Sequence, residues 1–189
     1  MYANYLKPFA DKLLAALVLL IFGWLLVIVA FVVWVELGRP ILFVQKRAGK
    51  HGKVFFLYKF RTMKNDNQEI TPVCSFLRRA ALDELPQLFN VLKGDMSWVG
   101  PRPLLPEYTA HYSPAQAQRL TVAQGLTGLA QIKGFGTQLS WEEKLEYDAQ
   151  YVQKQSFTTD FNILFNTFWL FLSRRRTEAN DLTRFDADK

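Results

Sequence analysis

The feature that most constrains this fold is a long segment near the beginning that has no charged residue. It runs from Leu13 to Val35 and is built of Leu, Val, Ile, Ala, Phe and Trp around a single glycine. A helix of this length covers the roughly 30 Å hydrocarbon core of a bilayer, since each residue adds about 1.5 Å. A buried soluble helix is disfavoured because there is no polar face. A signal peptide is disfavoured because the run is long and no small-residue cleavage site precedes Glu36.

Basic residues on both sides of this segment indicate its orientation. Most follow the helix: Arg39, Lys46, Arg47, Lys50, Lys53, Lys59 and Arg61. Positive residues favour the cytoplasmic side, so we expect the rest of the chain there. The leader is also mildly basic, with Lys7 and Lys12 against Asp11, which suits a re-entrant helix that enters and leaves the same leaflet. Gly23 lies where such a helix needs a break, but a lone glycine bends a helix only weakly, so the residues leave a spanning helix open.

Charge and cysteine content narrow the class of protein. The formal net charge is +6, which suits an anionic partner: nucleic acid, a lipid headgroup or a phosphorylated substrate. Cys74 is the single cysteine, so an intrachain disulfide is excluded, and we interpret it as a packing residue. His51 and His111 are too isolated to predict a metal site.

The pattern after the membrane segment predicts an α+β fold that is mostly helical. Strand-like residues 41–44 and 54–60 flank the turn 49–53, which predicts a short β-hairpin. Asp83 is predicted to cap a helix that ends at Gly94. Further helices are expected over residues 75–82, 114–123, 141–153 and 161–172. The last is too short to cross a bilayer and precedes Arg174 to Arg176, so it is predicted to lie in the membrane interface.

This pattern divides the chain into three parts. Residues 1–37 form the membrane-embedded helix, residues 38–176 a cytoplasmic-face domain with interfacial amphipathic helices, and residues 177–189 a polar C-terminal tail.

Asp83 and Glu84 are the best candidates for chemistry. Adjacent carboxylates at a helix start are favoured in their ionised forms, and an ionised Asp can attack phosphorus or bind a hard cation such as Mg²⁺. Ordinary helix capping is the competing interpretation. The segments that could converge on this point also carry cations that match phosphate oxygens: Lys59, Arg61, Arg78 and Arg102. Paired acids and cations beside a membrane helix indicate phosphoryl transfer that involves a lipid.

Several motifs resemble one known family. They are Tyr58–Met63, Leu82–Ser97, Val99–Pro103, Gly125–Gln131 and Trp141–Leu145. Together they are similar to the bacterial sugar transferase signature, and the chain resembles the small monotopic phosphoglycosyl transferases from about Leu6 to Leu172.

The resemblance implies a reaction and a set of site residues. Asp83 would attack the sugar-bound phosphate of a UDP-sugar and expel UMP, and polyprenyl (undecaprenyl) phosphate would then attack the covalent phosphosugar. Glu84 would be the acidic partner, and Mg²⁺ the cofactor with Asp83 as its ligand. Further active-site positions implied by the family are the phosphate-binding Lys59, Arg78 and Arg102 and the polar Asp160.

The resemblance also implies a location in the bacterial inner membrane. The helix would be re-entrant, the catalytic domain would lie on the cytoplasmic face among membrane lipids, and the reaction would begin glycan assembly. Two positions depart from the family pattern. Gly23-Trp24 replaces the Ser-Pro often found at the helix break, which bears on the re-entrant geometry. Ala123-Gln124 replaces a basic residue and Pro, which bears on substrate preference.

Two other functions remain as alternatives. A glycosyltransferase that moves only the sugar would release UDP, and a non-catalytic membrane scaffold would not need Asp83. A nucleic-acid partner is not expected, because the basic residues adjoin an apolar anchor and no recognition motif is present. A homodimer is left open, as is the identity of the sugar.

Overall fold

The computed structural model describes residues 1–64, 69–135 and 137–172. A long helix precedes a hairpin and a set of short helices around a second two-stranded sheet. The elements are α1 Lys7–Leu37, β1 Leu42–Ala48, β2 Val54–Phe60, α2 Pro72–Arg79, α3 Gln87–Lys93, β3 Met96–Val99, α4 Pro114–Ala117, β4 Gln124–Thr127, α5 Leu129–Lys133, α6 Trp141–Gln153 and α7 Phe157–Leu172. The α+β class with an N-terminal apolar helix is confirmed. The predicted tail 177–189 and Arg174 to Arg176 lie outside the described residues.

Helix α1 is unbroken over 31 residues and begins with one wider turn, Tyr2–Leu6. Its length is roughly 46 Å at about 1.5 Å per residue. In the described part of the chain, the helical stretch Tyr2–Leu37 is the one long and apolar enough to cross a membrane. The helix continues through Gly23, so the structure has no helix break there. It ends at Leu37, where the sequence analysis ends the membrane segment; the division into domains stays a prediction.

Both ends of α1 pack against the rest of the chain, whereas its middle is exposed. Near its start, Ala15 is fully buried against β2 and α3. Near its end, Val29 and Val33 pack against β2 and α2. Between them, Leu20 and Trp24 are 82% and 60% exposed. The two buried regions are separated by roughly 20–27 Å along the helix axis, so the hairpin lies alongside the helix.

The end of α1 is fixed by a glycine and an arginine. Gly38 has φ +72°, in the left-handed region that favours glycine at a helix end. The Arg61 guanidinium donates hydrogen bonds to the carbonyl oxygens of Leu37, Gly38 and Arg39. These bonds satisfy carbonyl groups that a helix end leaves without partners. Arg61 therefore caps the C-terminal end of α1.

The predicted hairpin is confirmed, and a second sheet was missed. β1 and β2 pair antiparallel with Leu42 opposite Phe60, and β1 extends to Ala48, beyond the predicted strand. β3 and β4 form a parallel pair that positions the loops on either side of it. The backbones at Gly100 and Gly125 are so close that a Cβ on either glycine would overlap the backbone of the opposite segment. Only glycine permits this approach.

The predicted start of the helix at Asp83 is wrong. Asp83 lies in a separate single turn, Leu82–Glu84, and α3 begins at Gln87 with Pro86 before it and no side-chain cap. Pro86 has no N–H to offer a preceding helical turn, so the regular helix starts after it. The predicted stop at Gly94 is confirmed, with φ +85°.

The other helices differ from prediction mainly at their ends. α6 has its predicted bounds, and Ser140 and Glu143 form a capping box at its start. The predicted helix 114–123 ends at Ala117 and continues as a tighter turn, Gln118–Thr121. α2 starts earlier than predicted, because Thr71 accepts a hydrogen bond from the Cys74 N–H as its N-cap. Cys74 itself is fully buried, consistent with a packing residue.

Candidate active site

The paired acids lie in the short turn that links α2 to α3. Ala81, just before it, has φ +53° and ψ +21°, a left-handed conformation that costs a non-glycine residue about 1 kcal/mol. This residue redirects the chain after α2. The Asp83 side chain consequently lies inside the protein and only 8% of the residue is exposed.

Replacing Ala81 by valine is expected to destabilise the protein by about 1–2 kcal/mol, since a β-branched residue fits the left-handed region poorly. The measurement is the thermal midpoint in detergent. Ala80→Val is the matched control, because Ala80 is also half-buried but has ordinary helical angles. Ala81→Gly should unfold at or above the wild-type temperature. Equal losses in both valine variants would contradict a strained turn.

The carboxyl group of Asp83 has an unusual environment. Burial raises its pKa to about 6, the Glu84 charge acts in the same direction, and Lys59 and Arg78 oppose the rise. A carboxyl group with this pKa is roughly nine-tenths ionised at pH 7. Asp83 is therefore a poorly solvated carboxylate at neutral pH, and such a group is more reactive toward an electrophile than a hydrated one.

Cations from three other segments surround this turn. Lys59 Nζ, from β2, is 2.9 Å from Glu84 Oε1 and forms a half-buried ion pair. Lys59, Glu84 and Arg102 line one pocket together with Gln131 of α5. Arg78, from the last turn of α2, acts on Asp83 through its charge. The structure thus brings together five of the six site residues that the family resemblance implies: Asp83, Glu84, Lys59, Arg78 and Arg102.

A buried arginine that the sequence analysis missed positions the loop carrying Arg102. Arg119 is 1% exposed, and its Nη2 donates to the Arg102 carbonyl oxygen at 2.5 Å. It also donates to Tyr112 Oη at 2.9 Å and forms a paired contact with Asp148 at 2.9 and 3.0 Å. Arg119 and Asp148 are 29 residues apart and belong to no motif, so no local pattern predicts their pairing.

Asp160, the sixth predicted residue, belongs to a different cluster. Its carboxylate accepts hydrogen bonds from Tyr2 Oη at 2.6 Å and Tyr151 Oη at 2.8 Å. It also pairs with Lys7 Nζ at 2.7 Å, and both residues are buried. These contacts join the start of α7 to the start of α1. A role for Asp160 in the reaction stays a prediction, and Lys7 is a buried partner that the sequence analysis did not identify.

Comparison with known proteins places the chain in a family. The family model described as bacterial sugar transferase matches residues 2–174. The chain is 48% identical over 143 residues to the uncharacterized sugar transferase EpsL of Bacillus subtilis, which covers 70% of each chain. It is 37% identical over 180 residues to the UDP-glucose:undecaprenyl-phosphate glucose-1-phosphate transferase of Caulobacter vibrioides, covering 85% of this chain and 67% of that one. This protein therefore belongs to the bacterial sugar transferase family.

Other relatives are much longer than this chain. The undecaprenyl-phosphate galactose phosphotransferase of Salmonella typhimurium is 33% identical over 199 residues, and the match covers 91% of this chain but 41% of the relative. The chain thus spans well under half of that protein, and the region it shares includes the hairpin, the acidic turn and the pocket described above.

Proposed function

We propose that this protein transfers a sugar-1-phosphate from a UDP-sugar to undecaprenyl phosphate and releases UMP. The observation that carries the proposal is the buried Asp83 carboxylate beside the Lys59–Glu84 ion pair and the Arg78 charge. A site with this composition attracts a phosphate group and presents a nucleophile to it. The relatives from Salmonella typhimurium and Caulobacter vibrioides have undecaprenyl phosphate in their names, which supports the same acceptor for this chain.

The reaction proceeds in two displacements at the same phosphorus. An Asp83 carboxylate oxygen attacks the sugar-bound phosphorus of the UDP-sugar, and the bond to the bridging oxygen breaks, so UMP leaves with that oxygen. A phosphate oxygen of undecaprenyl phosphate then attacks this phosphorus, and the bond to Asp83 breaks. The products are the undecaprenyl diphosphate sugar and the regenerated carboxylate, which makes this covalent catalysis with ping-pong order.

The cations of the site have distinct tasks in this scheme. Lys59 and Arg102 line the pocket and neutralise the pyrophosphate oxygens as negative charge moves onto the departing UMP. Arg78, at the end of α2, keeps Asp83 ionised by favouring its charged form. Glu84 holds Lys59 in place through the 2.9 Å ion pair. Each of these tasks follows from the position of the side chain relative to Asp83.

The acidic turn also fits the expected Mg²⁺. Magnesium is usually bound by one or two protein carboxylates together with substrate phosphates, and Asp83 and Glu84 are two neighbouring carboxylates beside a phosphate pocket. Among the described residues, no three or more His, Cys, Asp or Glu side chains are grouped so that they could hold a metal ion. Substrate oxygens would therefore complete the coordination. Bound Mg²⁺ would supply charge neutralisation for the pyrophosphate.

Although α1 has no break at Gly23, its packing supports a membrane-embedded helix with both ends on one side of the bilayer. β2 lies alongside α1, and a spanning helix would carry this strand and Lys59 into the hydrocarbon core. The exposed face of α7 supports the same shallow placement, because its aromatic residues are 57% to 70% exposed on one side: Phe157, Phe161, Phe165, Phe168 and Trp169. We propose that the domain rests on the cytoplasmic face of the bacterial inner membrane.

Nucleotide release tests the proposed reaction. The purified protein in detergent is expected to release UMP from one of a panel of UDP-sugars only when undecaprenyl phosphate and Mg²⁺ are present, and EDTA should stop turnover. Release of UDP would identify a transferase that moves only the sugar. Absence of any nucleotide across a complete panel would favour a scaffold, and an undiminished rate in EDTA would remove the metal from the scheme.

Cysteine labelling tests the membrane topology. Single cysteines at Ala3 and Lys46, in a Cys74→Ser background, should both react with a membrane-impermeant maleimide only after the inner membrane is opened. Both positions then lie on the cytoplasmic side. Labelling of position 3 from the periplasm of intact spheroplasts would show that α1 spans the membrane.

A further inference from the structure

A second cavity, of about 200 Å³, lies beside the first turns of α1. Its walls come from the start of α1, the tip of the hairpin, the end of α3 and residues 121–123. A single water molecule needs a cavity of about 10–15 Å³, so this cavity has room for a polar group of several heavy atoms. It shares no lining residue with the pocket that contains Lys59 and Glu84.

The lining of this cavity has an excess of positive charge. Lys7, Lys12 and Lys50 contribute to its wall, whereas Asp11 is the acid among its lining residues. Lys7 pairs with Asp160 at 2.7 Å and with Asp11 at 3.6 Å, so its charge is already balanced by these two carboxylates. Lys12 and Lys50 have no ion pair within the described residues. Two cations are therefore available to an anionic ligand in this cavity.

The position of the cavity along α1 indicates where that ligand comes from. Lys12 immediately precedes the charge-free run that begins at Leu13, so the cavity lies at the level of the boundary between the polar and the apolar residues of α1. Lipid phosphates occupy this level of a bilayer. Beyond it, Leu13, Leu17 and Leu20 are 51%, 45% and 82% exposed and offer an apolar surface for acyl chains.

We propose that this cavity binds the headgroup of an anionic phospholipid, with Lys12 and Lys50 contacting its phosphodiester. Asn4, Thr121 and Gln155 line the same cavity and supply neutral hydrogen-bonding groups for headgroup hydroxyls. A bound lipid would connect the start of α1 to the hairpin tip, which are distant in sequence. This inference concerns a surface separate from the acidic turn, so it stands or falls independently of the proposed reaction.

Lipid binding by the full-length protein in detergent tests this site. Native mass spectrometry gives dissociation constants for phosphatidylglycerol and, as the neutral reference, phosphatidylcholine. The Lys12→Gln/Lys50→Gln variant is expected to bind phosphatidylglycerol about 25-fold more weakly, or about fivefold per lysine. Lys46→Gln/Lys53→Gln is the matched control, because it removes two exposed hairpin lysines that do not line the cavity. It should change binding by less than about twofold.

Additional binding experiments distinguish a phospholipid from inorganic phosphate and from undecaprenyl phosphate as the ligand of this cavity. Excess inorganic phosphate should not displace phosphatidylglycerol, since it lacks the acyl chains that lie on α1. Displacement by inorganic phosphate, or tighter lysine-dependent binding of undecaprenyl phosphate, would overturn the phospholipid assignment. Equal binding by the two double variants would also overturn it. The Lys12→Arg/Lys50→Arg variant should retain binding, which separates lost charge from misfolding.

Discussion

An Asp83→Asn variant is expected to lose turnover by roughly 10⁴-fold or more while remaining folded. Asparagine has nearly the same shape but cannot act as the anionic nucleophile. It should also make the protein more stable at pH 7. Asp83 has its pKa raised from 3.8 to about 6, so ionisation of the wild-type residue opposes folding at neutral pH. We expect a gain of about 1–3 kcal/mol in metal-free buffer.

The pH dependence of that gain checks its cause. Because the folded-state pKa is raised, the stability cost of Asp83 appears as the pH rises from about 4 to about 6 and is absent below both values. The midpoints of wild type and Asp83→Asn should therefore converge near pH 4. Asp95→Asn, at the other end of the same motif, is the control and should keep turnover. Substantial turnover by Asp83→Asn would contradict the nucleophile, and a destabilised variant would indicate a structural role.

An Asp148→Ala variant is expected to destabilise the protein by about 3–5 kcal/mol, since it leaves the Arg119 charge buried without its partner. The side chains of Arg119 and Asp148 are only 1% and 5% exposed. Arg119 also holds the Arg102 carbonyl oxygen, so the loss should disturb the phosphate pocket. The measurements are the thermal midpoint in detergent and KM for the UDP-sugar.

Two controls separate charge burial from general damage to α6. Glu146→Ala removes an exposed acid from the same helix and should change stability by less than about 0.5 kcal/mol. The apolar double variant Arg119→Met/Asp148→Leu should recover much of the stability, because no charge is then left unpaired. Equal destabilisation by Asp148→Ala and Glu146→Ala would show that the buried pair contributes nothing specific.

The parts of this fold that the sequence predicts are those with a strong local pattern. The charge-free run predicts α1, the turn at residues 49–53 predicts the hairpin, and the predicted helix 141–153 is α6. The motif identified the acidic turn, but the prediction that Asp83 starts a helix was wrong. The left-handed Ala81 and the proline at position 86 make it a separate turn.

The parts that were missed depend on contacts between distant residues. β3 and β4 have four residues each, too few for an alternating pattern. Gly100 follows β3 and Gly125 lies within β4, where the two backbones approach closely. The Arg119–Asp148 pair and the Lys7–Asp160 pair are likewise invisible to local periodicity, because their partners come from different helices. Buried ion pairs of this kind appear only when the elements are packed together.

The most direct test of the central claim is the intact mass of the protein after incubation with its UDP-sugar and Mg²⁺ in the absence of undecaprenyl phosphate. A covalent intermediate predicts a mass increase equal to one sugar-1-phosphate less one water, with an equivalent amount of UMP released. The adduct should be absent from Asp83→Asn and should disappear when undecaprenyl phosphate is added. Full turnover on adding the lipid, with no adduct under rapid-quench conditions before it, would contradict the two-displacement mechanism and favour direct transfer between the two substrates.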